Sequence, residues 1–90
     1  MATVTFQVLY FASAKDAASV SSSQEQLSPS QGLSVAGLRQ KLSQRNEALK
    51  TVLQRCAFSL NEELVLEDQE GNTQIGQGDV VALIPPVSGG

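Results

Sequence analysis

The sequence predicts one small α+β domain, and three observations carry that prediction. At 90 residues the chain has room for one core and no more. Short runs of period two open the chain and fill its second half, whereas a stretch near the middle has helical periodicity. The last run, "VVALI", is apolar at every position, the pattern of a central strand buried on both faces.

The elements follow in order. "TVTFQVLYF" alternates: Val4, Phe6, Val8 and Tyr10 share one face, and Leu9 and Phe11 fall on the other. "ASAKDAAS" suits a short helical turn, "SVSSSQ" a solvated connection, and "EQLS" a weakly signalled second strand pairing with the first. After the turn residues of "SPSQG", Ser34 caps a helix whose Val35, Leu38 and Leu42 recur at inward spacing, with Arg39, Gln40, Lys41 and Gln44 toward water. Gly37 weakens that helix by roughly 1 kcal/mol relative to alanine, so packing must hold it. "EALKTVLQRC" adds a turn or two, with Leu49, Val52 and Leu53 inward. "AFSL" and "ELVLE" read as a hairpin, "DQEGNTQIGQG" as a long polar loop, and Asp79 as the residue that fixes the turn before the last strand rather than a metal ligand.

Strand, strand, helix, strand, strand, strand is the order of a β-grasp. Its first and last strands form a parallel central pair, and its main helix packs on one face of a mixed sheet. A helix on one face leaves Phe11, Leu64, Ala82 and Ile84 unplaced. Such a remainder is either an interface or is lidded by loops 12–33 and 67–79, and the polarity of those loops favours an interface.

Composition removes several functions. There is no histidine and one cysteine, so a zinc cluster and the usual acid–base residue are both missing. Cys56 reads as a small buried hydrophobe in a chain without disulfides, as expected in the cytoplasm. A net charge of −3 gives no footprint for nucleic acid, and no apolar run approaches the ~20 residues of a membrane helix. "GQGDVV" has two glycines at phosphate-loop spacing, but it lacks the third and feeds a strand.

The last residues, "PPVSGG", divide the chain into a domain over 1–84 and a flexible extended tail over 85–90. Pro85 and Pro86 lack N–H donors and end the ladder, stiffening the chain as it leaves the sheet. The six residues reach roughly 20 Å. Val87, Ser88 and Gly89 are small enough to thread a narrow channel and deliver the Gly90 carboxylate into another protein. An ionised carboxylate is a poor electrophile, so using it requires activation by adenylation. Sulfur then yields a thiocarboxylate, and an amine yields an amide. Neither outcome needs a catalytic residue on this chain.

"VLYFA", "SVAGLRQKL", "LNEELV" and "GDVVALIPPVSGG" together resemble the small, sulfur-carrying subunits of molybdopterin synthase, a ubiquitin-like β-grasp family. The resemblance implies that an E1-like enzyme consumes ATP to adenylate Gly90 and converts it to a thiocarboxylate. It implies no stably bound cofactor or metal. Sulfur then passes to a cyclic pyranopterin monophosphate in the active site of a large catalytic subunit, forming the dithiolene of molybdopterin. Two small subunits on a large-subunit dimer make the family's heterotetramer, and its apolar docking surface maps onto Phe11, Leu64 and Ile84. Ser88 beside the site is read as a small residue that fits a channel, not a nucleophile. The alternatives are a carrier for thiamine synthesis or tRNA thiolation, a modifier forming isopeptide bonds, and an interaction domain with an inert tail.

Overall fold

The computed structural model describes residues 3–86. Five strands form one sheet: β1 (Val4–Tyr10), β2 (Ser22–Leu27), β3 (Ala57–Leu60), β4 (Glu63–Val65) and β5 (Val80–Ile84). Their order across the sheet is β2-β1-β5-β3-β4. β1 and β5 run parallel at the centre, with Val8 beside Val81 and Tyr10 beside Leu83. The other pairs are antiparallel. This is the α+β β-grasp arrangement. Among the described residues, no helix is long and apolar enough to cross a membrane.

Three helices pack on one face: α1 (Ala12–Ala18), α2 (Val35–Ser43) and α3 (Glu47–Leu53). The Ser34 hydroxyl accepts from the Gly37 amide at 3.2 Å, as the sequence predicts, and Asn46 caps α3 by accepting from Leu49 N–H at 2.7 Å. Val35, Leu38 and Leu42 are fully buried, so packing offsets the weak helix propensity around Gly37. They meet Phe6, Val8 and Tyr10 of β1, Phe58 of β3, and Val81 and Leu83 of β5 in one core.

Four expectations about the elements are corrected, and the outward placement of Arg39 is corrected below. The "ASAKDAAS" turn is a seven-residue helix, closed by Ser19 in a left-handed conformation. The serine-rich connection is shorter than expected, because β2 begins at Ser22 and borrows its order from the β1 ladder. Segment 67–72 of the polar loop winds into a 3-10 helix. β5 is buried on one face only: Val81 and Leu83 enter the core, while Val80 and Ala82 are half-buried and Ile84 is exposed. Its uninterrupted apolar run therefore marks two different environments, the core on one side and a partly exposed face on the other.

Two polar clusters lock the helices to the sheet, and neither was legible in the sequence. Arg39, assigned to the wet side, instead turns inward over Phe58, with its guanidinium carbon 4.6 Å from the ring centroid. It donates to both oxygens of Glu70, at 2.8 and 2.6 Å, to Cys56 O at 3.0 Å, and to Leu53 O. One side chain thus ties α2 to the end of α3 and to the 3-10 helix. In the second cluster, Arg45 donates to both oxygens of buried Glu25 at 2.8 Å, and Lys41 lies 3.9 Å away. Ser23 bridges Glu25 to the Tyr10 hydroxyl. The Arg45 hydrogen bonds outweigh burial and hold the Glu25 carboxyl below its ordinary range, whereas burial pushes Tyr10 up.

Candidate docking face and tail exit

Strand register defines what the helices leave uncovered. Because side chains alternate, the partners of core residues point the other way. Leu9 stands beside Ala82, Ala82 beside Ser59, and Ser59 beside Leu64, making one row across four strands. In the next row Ile84 stands beside Ala57. Alternation along the chain brings Phe11 and Leu66 to the flanks of these rows. Large side chains therefore stand at the rims, and Ala57, Ser59 and Ala82 line a shallow middle.

Exposure separates this face from ordinary surface. Phe11 is 49% exposed, Leu64 63%, Leu66 59% and Ile84 41%, a concentration of large apolar groups unusual for a free surface. The loops proposed as a lid do not cover it. Ala14 of α1 is buried in the core and α1 packs against α3, while the 3-10 helix packs on α2. Both segments therefore lie on the helical side, and among the described residues the opposite face stays open. Leu66 joins Phe11, Leu64 and Ile84 there. It was missed although the signal was present: in "ELVLE" Leu66 stands two residues after Leu64 and so falls on the same face by alternation.

β5 ends beside this face. The last pairings of β5 are Leu83 with Tyr10 and Ile84 with Ala57, one residue before Pro85. Pro85 is buried and Pro86 exposed, continuing the alternation of Leu83 and Ile84. Val87, Ser88, Gly89 and Gly90 lie outside the described residues.

At the other end of β5 a polar knot sets the strand's start. Asp79 accepts from Gly76 N–H at 2.7 Å and from the Asn61 amide at 3.1 Å. Asn61 in turn accepts from Val80 N–H at 2.9 Å, while Gly78, at φ 82°, donates to Thr5 O at 2.8 Å. Asp79 thus has the turn-fixing role read from the sequence, with both oxygens engaged. Cys56 is buried, and burial pushes its thiol up against a smaller opposing effect of Arg39. That favours the inert reading.

The chain has likenesses among known proteins. The model of the ThiS family matches residues 8–90. A molybdopterin synthase sulfur carrier subunit from Chlamydomonas reinhardtii is 36% identical over 85 residues, covering 93% of this chain and 96% of that protein. Among solved structures, the complex of subunits 1 and 2 of molybdopterin-converting factor from Helicobacter pylori 26695 contains a chain with 31% identity and a TM-score of 0.65, covering 97% of this chain and all of that one. The small archaeal modifier protein 1 of Methanosarcina acetivorans superposes with a TM-score of 0.79 at 20% identity, covering 100% of both chains, and bears on fold alone.

Proposed function

This chain belongs to the ThiS family, and from that premise we propose that it is the sulfur carrier subunit of a molybdopterin synthase. The observation that carries the reading is its 36% identity, over nearly full length, to a sulfur carrier of that enzyme. The open apolar face beside the tail exit supports it, because a carrier must be gripped by its body while its end reaches elsewhere.

The chemistry proceeds at Gly90. Its carboxylate attacks the α-phosphorus of ATP on an E1-like enzyme, forming an acyl adenylate and releasing pyrophosphate. A sulfur nucleophile displaces AMP, so the C–O bond to phosphate breaks and a C–S bond forms. The large subunit then grips the apolar face through Phe11, Leu64 and Ile84. The tail, aimed by Pro85 and Pro86, inserts Val87, Ser88 and Gly89 into the active site. Sulfur passes to the cyclic pyranopterin monophosphate, and hydrolysis returns the carboxylate. Two deliveries complete the dithiolene, in the cytoplasm, on a heterotetramer of two small and two large subunits. This chain supplies no acid, base or metal; catalysis belongs to the large subunit.

The test is an intact mass of the chain isolated from cells, followed by mixing with the large subunit and precursor. The expected species has one terminal oxygen replaced by sulfur and converts precursor to dithiolene product. Recovery of only lysine-linked conjugates, with no thiocarboxylate, would refute the proposal.

A further inference from the structure

The two edges of the sheet are not protected alike. β4 is three residues long, and exposed Glu62 and Glu63 put charge on its turn and its first position. Short length and charge both discourage another strand from pairing there. β2 runs for six residues in unbroken register with β1, and its sequence holds no lysine or proline. The Tyr10 amide donates to Ser21 O at 2.9 Å, so Ser21 and every second residue after it turn their backbone groups toward β1. Ser22, Gln24 and Gln26 therefore turn theirs outward, and their uncharged side chains are exposed. Among the described residues, Lys41 of α2 reaches over this edge and donates its ammonium to Gln26 O. Glu25, 3.9 Å away, holds the lysine from a second side, although Arg45 already engages both of its oxygens. Lys41 thus leaves surplus positive charge at the edge.

We propose that β2 is a strand-pairing edge for a second copy of this chain, and that Lys41 is the guard that keeps it unpaired. The outward row is complementary to itself. Antiparallel pairing centred on Gln24 sets Ser22 opposite Gln26 of the copy, Ser23 opposite Glu25, and Gln24 opposite its counterpart. No like charges face each other, and the two-fold pairing closes after one copy. It requires Gln26 O to accept from the copy's Ser22 N–H, and that carbonyl is the one Lys41 occupies. Pairing therefore breaks a charge-assisted hydrogen bond at each end of the row. The proposal rests on the edge alone and is independent of the sulfur-carrier reading.

The experiment measures self-association of the full-length chain by sedimentation, with amide exchange by NMR to locate the contact. The wild type is expected to stay monomeric, with the Ser22, Gln24 and Gln26 amides exchanging freely. Lys41→Met keeps the stem and removes the donor. It is expected to dimerise at least about tenfold more tightly, the scale of recovering a hydrogen bond at each end, with those amides becoming protected. Lys41→Arg keeps a cation at the carbonyl and is expected to match wild type. Gln24→Pro removes the central outward N–H, which the β1 ladder does not use, and is expected to return Lys41→Met to monomer. Circular dichroism melts confirm folding, and Lys41→Ala repeats the measurement without the stem.

Self-association of Lys41→Met and Lys41→Ala no tighter than wild type overturns the proposal. A wild type that already pairs through β2 also overturns it, because Lys41 then guards nothing. So does a Lys41→Met dimer that survives Gln24→Pro and is lost with Ile84→Gln, since the contact is then the open face.

Discussion

Replacing Arg39 by Met tests whether one inward-turned cation holds the helical layer together. Methionine keeps the stem that covers Phe58 but removes every donor to Glu70, Leu53 and Cys56. The Glu70 side chain is 8% exposed, so its carboxylate is left largely buried and unpaired. Breaking a fully buried pair in this way costs about 3–5 kcal/mol. The Arg39 side chain is 27% exposed, so water can reach part of the vacated site and reduces that cost. With the lost contact to the Phe58 ring adding less than about 1 kcal/mol, the expected destabilisation is about 2–3 kcal/mol. For a domain of this size that lowers the melting temperature by about 10–20 °C. Urea denaturation followed by circular dichroism measures it. The double variant Arg39→Met/Glu70→Met removes the stranded charge and is expected within about 1 kcal/mol of wild type. A cost below about 0.5 kcal/mol for Arg39→Met, or a double variant as unstable as the sum of the singles, would refute the reasoning.

Two further predictions come from the β2 cluster and the β3–β4 hairpin. The Glu25 carboxyl is held below its ordinary value in the fold, so its contribution is present above about pH 4.3, the unfolded value, and fades as pH falls through the lower folded value. Acid titrations should therefore show stability lost as pH falls below about 4.3, with a shallower loss in Glu25→Gln; identical curves would show that the cluster does not contribute. In the hairpin, Asn61 and Glu62 have φ of 51° and 74°. Asparagine tolerates that geometry and glutamate does not, so Glu62→Gly is expected to stabilise by about 0.5–1 kcal/mol in urea melts. A destabilised variant would mean that the Glu62 side chain makes a compensating contact.

What was legible in the sequence is local in origin. Period-two alternation in β1, the Ser34 cap, the inward spacing of Val35, Leu38 and Leu42, and the proline stop after Ile84 are each written within a few residues, because backbone geometry has a short period. The strand order followed from the apolar runs at both ends, and the open face from counting apolar groups that one helical layer cannot cover. Long-range partnership is not written in this way. Arg39 reads as solvent-facing until Glu70, 31 residues away, supplies a carboxylate that makes burial favourable. Glu25 looks like an ordinary strand-edge charge until Arg45 reaches it from the far end of α2. Val80–Ile84 looks buried on both sides because an apolar run does not say whether a face meets the core or a second protein. The sequence by itself determined the β-grasp order and the residues left over. Only the tertiary structure decided that α1 and the 3-10 helix lie behind the sheet, where the core holds Ala14 of α1 and the Arg39–Glu70 pair holds the 3-10 helix, leaving Phe11, Leu64, Leu66 and Ile84 exposed.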